Sequence, residues 1–310
     1  MSPALVHTTN VNAAVLAGMF DSFSTAFNKA YTLAESKADL LAMRMPSSGR
    51  KEIHSWLGGV PNMKQWVDER QLEGFSLYAY ELENIPWEAT LEVDRDDILD
   101  DQMGGYGISI QQMGYNAKTH PDILLAAAMA AGFSTACYDG SYFFATDHPY
   151  VPASGGAATT QANTDGGSGT AWYLLSLEAG RPMKPFIHQV RKEIEFVAMD
   201  RPTDENAFMR KKYLYGVDDR RAVGYGFYQQ AWGSKQTLAT GTLATAYAAM
   251  IGMLSDKGLP LGLTPTHLVV PPSLWSIADP LINNQFDSAG ASNPWYKRFE
   301  LVTWPYLATT

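Results

Sequence analysis

The stretch GFSLYAYELENIPWEATLEVDRD, Gly74 to Asp96, decides how the rest of the chain is read. Phe75, Leu77 and Ala79 alternate with Ser76, Tyr78 and Tyr80, and beyond Glu83-Asn84 the residues Trp87, Ala89, Leu91 and Val93 alternate with Glu88, Thr90, Glu92 and Asp94. A period of two puts each set on its own face of a strand, so the pattern predicts a long two-stranded hairpin turning near Glu83-Asn84. A hairpin alone is marginal in water and needs a surface to lie on. Pro86 has no backbone N–H to give to a ladder, which suits an edge strand.

Seven carboxylates and one arginine crowd the fifteen residues from Glu88 to Gln102. A calcium loop would need oxygen ligands and a glycine where Ile98 and Leu99 stand, so that motif fails. Acids at a strand-to-helix transition have a structural use. Asp96 or Asp97 is expected to cap a helix, with Asp100 and Asp101 in its first turn near the positive end of the dipole. The competing reading is a metal-dependent or carboxylate-dependent hydrolase built on Asp94 to Asp101.

Upstream, Asn10 or Asn12 can cap a helix running to about Glu35, with Val15, Met19, Phe23, Ala26 and Phe27 on one stripe. MPSSGR, Met45 to Arg50, breaks this arm, and WLGGVPNMKQWVDER reads as a short connector. Downstream, a helical region follows from about Asp97, weakened at its start by Gly104, Gly105 and Gly107, and Pro121 suits the first position of a further helical stretch that Gly132 closes. Pro152 to Thr170 holds no apolar side chain larger than alanine and reads as a mobile loop. Strand-rich sequence follows from Ala171 to Gly233, then a helix, then a strand–helix–strand ending. The class is α+β, and no internal repeat is visible.

No catalytic, cofactor or metal site stands out. Cys137 with Asp147-His148 raises a Cys–His pair, but TDHP before a glycine-rich segment is more simply a turn. His7, His54, His120, His188 and His267 show no metal-ligand spacing. GGSGT, Gly166 to Thr170, misses a nucleophile elbow, and GYGFYQ lacks the last glycine of a dinucleotide loop. The net charge of −9 argues against binding nucleic acid by phosphate neutralisation. One cysteine rules out an intrachain disulfide framework. No secretory signal opens the chain, and the apolar run Ile123 to Phe133 is about half of the ~20 residues a span needs. A chain of 310 residues with no visible site leans towards assembly.

From Trp56 to Leu307 the strings WLGGVPNMKQWVDER, DRDDILDDQ, HPDILLAAAMAAGF, CYDGSYFFATDHP, KPFIHQVRKEIEFV, FMRKKYLYGVDDRRAVGYGFYQQA, LGLTPTHLVVPPSL and NPWYKRFELVTWPYL follow one another in order. In these the chain resembles the major head (capsid) subunit of Mu-like phages. The resemblance implies the Hong Kong 97-type fold: an N-terminal arm over residues 1–48, a connector and E-loop hairpin over 49–102, a spine-helix region over 103–133, a turn and mobile glycine-rich loop over 134–170, and P- and A-domain strands and helices over 171–310. It implies a virion protein made in the host cytoplasm that self-assembles as pentamers and hexamers into an icosahedral shell enclosing DNA. It implies no enzyme, no cofactor and no membrane. Scaffold, protease, portal and decoration proteins are the implied partners. The E-loop lacks lysine, since Lys64 is the last before Lys118, which argues against a lysine cross-link there.

Charge suggests how subunits would meet. Residues 73–102 hold ten acids and one base, whereas residues 181–235 hold eleven bases and seven acids. The E-loop is therefore expected to lie across a neighbour near Arg210, Lys211, Lys212, Arg220 or Arg221, with adhesion from Phe75, Leu77, Trp87 and Leu91.

Overall fold

The structure is a computed structural model that describes residues 11–58, 80–100, 104–287 and 289–308. The chain divides into two compact units: Met1–Lys37 with Asn84–Pro121 and Val190–Arg221, and Ala38–Glu83 with Asp122–Gln189 and Ala222–Thr310.

The first unit opens with the helix Ala13–Leu33, whose first N–H groups at Ala14 and Val15 donate to the Asn12 side chain at 3.0 and 3.1 Å. Of the two caps the sequence offers, Asn12 serves. Leu16, Phe23 and Phe27 are buried along one stripe, and Phe23 meets Tyr215 edge-on with centroids 5.0 Å apart. The helix Gly104–Ala131 contains Pro121 in its interior, so the two helical stretches expected around that proline are one. Pro121 removes one intrahelical donor, and the apolar residues on either side, Ile110, Leu125, Ala126 and Met129, are all fully buried. Gly114 on this helix faces Phe27 so closely that a Cβ there would lie 2.5 Å from the Phe27 carbonyl oxygen.

The return strand of the expected hairpin exists as Ile85–Asp94. It runs antiparallel to Lys212–Tyr225 of the same chain, from Asp94↔Lys212 to Ile85↔Arg221. Among the described residues it is an edge strand, next to Lys212–Tyr225 with Phe186–Met199 beyond, as Pro86 suggests. Glu81–Glu83 pairs instead with Lys51–Ile53. Phe75 and Leu77 lie outside the described residues. The first arm expected for the hairpin, residues 74–79, lies outside the described residues, and the return strand is laid on the chain's own sheet. Buried Val93 and half-buried Leu91 sit opposite Tyr213 and Tyr215, and that shared apolar face is what fixes the register.

Phe208 to Arg210 also differ from expectation. They end a short helix, Glu205–Arg210, and Lys211 adopts left-handed φ of 57° before Lys212–Tyr225 runs on as one strand.

The second unit is built on a five-stranded sheet in the order Glu300–Thr303, His267–Val270, Trp172–Leu175, Ala231–Lys235, Thr164–Gly167. Trp172, Tyr173, Leu174 and Leu175 are all buried. Trp172 and Leu174 pack with Leu243, Ala246 and Met250 of helix Thr240–Ile251 and with Ala278 and Ile282 of helix Trp275–Asn283. Tyr173 and Leu175 on the opposite face join Phe143, Phe144 and Met129. The strand–helix–strand ending is present, its two strands parallel.

The expected mobile loop is corrected within this unit. Thr159–Gln161 pairs with His148–Tyr150, and Thr164–Gly167 joins the sheet beside Ala231–Lys235. Small residues make this possible: Gly167 has φ of 99°, and a Cβ on it would lie 2.4 Å from the Lys235 backbone. Asn163, fully buried, holds the segment through its side chain.

Candidate functional site

The acids of the opening stretch are committed to local structure. Asp94, and not Asp96 or Asp97, caps the helix Arg95–Leu99 by accepting from the Asp96 N–H at 2.9 Å. Lys212 sits 3.0 Å from Asp94 and 3.4 Å from Glu92, and Lys211 sits 3.7 Å from Asp96. The Asp96 backbone N–H and then Lys212 hold the Asp94 carboxyl below the usual carboxylate range. Tyr106 donates to Asp97. Asp100 is the C-cap of the short helix, one element earlier than expected, and Asp101 lies outside the described residues.

The complementary charges of the acidic and basic segments therefore meet within one chain. That corrects the expectation that Lys211 and Lys212 receive a neighbour's acids. Arg221 is not on a solvated face either: it is 5% exposed and ion-paired with Asp219, which is 4% exposed. Arg210 and Arg220 make no ion pair among the described residues.

Beside this strand pair lies a cavity of about 420 Å³ with an apolar floor of Met113, Ala117, Ile194 and Val217. Trp87 and His120 form one wall, ring centroids 4.6 Å apart. Burial, and then the charge of Arg221, push the His120 imidazole below its ordinary value. Trp87 stands directly opposite Asp219 in the ladder, and both line the cavity. Among the described residues, Trp87 Nε1 and Asp219 Oδ1 are buried with no hydrogen-bond partner. A buried polar group left unpaired costs about 1–3 kcal/mol.

In the second unit the fold gathers Cys137, Asp139 and His148 within 4.8 Å of one another. The Cys–His pair weighed from sequence is real as a neighbourhood, but its acid is Asp139, and Asp147 is exposed. Cys137 Sγ donates to Asp139 Oδ1 at 3.1 Å, and His148 Nδ1 meets Asp139 Oδ2 at 2.6 Å. His148 Nε2 meets Asn163 Oδ1 at 3.2 Å, and the same oxygen accepts from the Ala145 N–H at 2.9 Å. The imidazole lies flat on Tyr228 with ring centroids 3.6 Å apart. The donor set could suit a metal, yet its atoms are already hydrogen-bonded to one another. Burial, reinforced by Asp139, pushes the Cys137 thiol far up, so it is a poor nucleophile. Burial is the largest single influence on the Asp139 carboxyl and works to raise it, but the interactions with His148, Cys137 and the Ser141 N–H together outweigh it and the net shift is downward. This is a closed polar core. The tight turn CYDGS, in which Asp139 accepts from the Ser141 N–H at 3.0 Å, is the signal in the sequence that could have found Asp139.

Asp256 is held next to this core by Gln229 at 2.9 Å and Tyr138 at 3.4 Å. Burial, and then the Asp139 charge, raise its carboxyl to about 6. A carboxyl raised in the folded state binds its proton more tightly there than when unfolded. The resulting stability is full below the unfolded value near 4 and is lost as pH rises through about 6. Melting profiles from pH 4 to 7 should therefore fall more steeply for the wild type than for Asp256→Asn, and equal slopes would refute the assignment.

The family profile described as "Mu-like prophage major head subunit gpT" matches residues 16–307. The chain belongs to that family. It is 35% identical over 305 residues to the major capsid protein of Escherichia phage Mu, covering 96% of this chain and 99% of that one. A similar relative is the Mu-like prophage FluMu major head subunit of Haemophilus influenzae, 35% identical over 301 residues and covering 94% and 97% of the two chains. Among solved structures, a chain from the procapsid of bacteriophage JBD30 superposes with a TM-score of 0.86 at 36% identity, covering 96% of this chain and 100% of that one. The protein is a phage major head subunit of the Hong Kong 97-type α+β fold, a structural component of the virion capsid. The hydrolase reading finds no support in these relatives, in keeping with the capping and pairing roles of Asp94, Asp96 and Asp97. Among the described residues, no helix is long and apolar enough to cross a membrane.

Proposed function

We propose that copies of this chain assemble as pentamers and hexamers into an icosahedral shell that encloses phage DNA, without performing chemistry. The observation that carries this reading is the match to a procapsid chain along essentially the full length of both chains. Separate scaffold, protease and portal proteins are the expected partners. Support for decoration comes from a JBD30 capsid chain, 27% identical with a TM-score of 0.73 and covering 88% of this chain and 91% of that one, in a capsid described as decorated with minor capsid protein trimers. The net charge of −9 fits a container better than a phosphate-binding surface. Electron microscopy of the purified protein tests the reading: shells, tubes or rings support it, and a homogeneous monomer under all assembly conditions would sink it.

Within that function, Trp87, Leu91, Arg210 and Arg220, with Phe75 and Leu77, are the proposed subunit contacts. Lys211, Lys212 and Arg221 have partners in their own chain and are left with a supporting part. Exposed ion pairs contribute ~0–1 kcal/mol, whereas truncating a buried aromatic anchor commonly costs about 2 kcal/mol or more. Trp87→Ala should therefore lower shell yield by more than about tenfold while Glu88→Gln lowers it little. Negative-stain particle counts at equal concentrations of folded protein measure both, and equal yields would refute the ranking.

A further inference from the structure

The first unit carries a protrusion that its own chain does not cover. Helix Glu205–Arg210 buries Ala207, but Phe208 and Met209, next to it, are 80% and 69% exposed. Arg210 follows, also exposed. An aromatic ring and a thioether presented together to solvent, with a guanidinium beside them, are unusual unless something receives them.

The same unit carries a receptor of matching chemistry. The cavity beneath Trp87 has a floor of Met113, Ala117, Ile194 and Val217, and Glu88 stands exposed in its lining. Its charge is specific too, since the Glu88 carboxylate can accept from a guanidinium. The protrusion supplies one in Arg210. The protrusion cannot reach its own cavity. Lys212, at the base of the protrusion, and Asp219, in the cavity, lie on one continuous strand. At ~3.3 Å per residue their separation is roughly 23 Å.

We infer that the Phe208–Arg210 tip of one copy seats in the cavity beneath Trp87 of the next copy, with Phe208 and Met209 on the apolar floor and Arg210 against Glu88. The contact joins two different surfaces, so it is heterologous and propagates head to tail, closing into a ring when the rotation allows. It rests on the shell-forming reading above and adds which surfaces meet.

The test uses full-length chains carrying Met209→Cys and Ala117→Cys. Cys137 is buried and its thiol is held protonated, so it should stay silent. After mild oxidation of assembled particles, the double variant should give a ladder of disulfide-linked multimers on a non-reducing gel. A mixture of the two single variants should stop at dimers. Assembled particles that stay monomeric on the gel would overturn the contact while leaving the shell reading intact. Wild-type protein that forms no particles would overturn the shell reading itself. As a second arm, Phe208→Ser with Met209→Ser should leave the melting profile unchanged, because both residues are exposed, and lower particle yield by at least about tenfold. Wild-type yield from that variant would also overturn the contact.

Discussion

His148→Ala should lower the stability of the unassembled chain by about 1–3 kcal/mol, the loss expected when a buried acceptor is left without its hydrogen-bond partner. His148 is 0% exposed, and the Asp139 side chain it meets is 2% exposed, so removing the ring leaves Asp139 Oδ2 unpaired where water does not reach. Cys137 and the Ser141 N–H would remain as donors to Asp139, but both serve its other oxygen, Oδ1. The loss also uncovers one face of Tyr228 and the Asn163 oxygen. At roughly 2–4 °C per kcal/mol, the melting temperature should fall by roughly 2–12 °C. Asp147→Ala, one residue away and exposed, should stay within about 0.5 kcal/mol of wild type. A His148→Ala melt indistinguishable from that of Asp147→Ala would show that the network carries no stability. The same variants separate a structural core from a catalytic pair, because the effect is on folding and needs no substrate.

What the sequence makes legible follows from how local each signal is. Strand Ile85–Asp94 can be read because its period of two and Pro86 are properties of ten consecutive residues. Its partner cannot be read that way. Lys212 to Arg221 lie far along the chain, and two alternating strands with a turn signal between them look like a hairpin whether or not they pair. The segment from Pro152 to Thr170 misleads for a related reason: its composition offers nothing apolar to bury. What orders Asn163 is hydrogen bonding to Phe143, Ala145, Tyr228 and Ala231, none of them near enough in sequence to be seen. The helix through Pro121 shows the opposite failure, a strong local rule overridden by burial on both sides of the proline. For the cavity beneath Trp87 the apolar alternation was visible, while the buried Asp219 across from it depended on register. The basic run from Arg210 to Arg221 reads as one charged face in sequence. In the fold it divides among a helix end, strand-edge ion pairs and a buried partner for Asp219.

The same substitution, glycine to alanine, should have opposite signs at two positions of the first unit. In helix Ala13–Leu33, a Cβ at Gly18 would meet nothing within 4 Å, so Gly18→Ala collects the helix-propensity gain of about 0.5–1 kcal/mol without a steric cost. In helix Gly104–Ala131, Gly114→Ala has the same intrinsic gain, but its Cβ would fall 2.5 Å from the Phe27 carbonyl oxygen and 3.2 Å from the Ala30 side chain. The obstacle at Phe27 is backbone, which cannot rotate away, so the two helices must move apart and loosen the packing of Phe27 and Ala30 against the long helix. Overpacking of this kind costs about 1–3 kcal/mol and outweighs the propensity term, leaving Gly114→Ala destabilised and Gly114→Val more so. Urea melts of the unassembled variants read both signs directly. If Gly114→Ala proves as stable as Gly18→Ala, the arm does not pack on the long helix as described, and its stripe of Leu16, Phe23 and Phe27 must find its cover elsewhere.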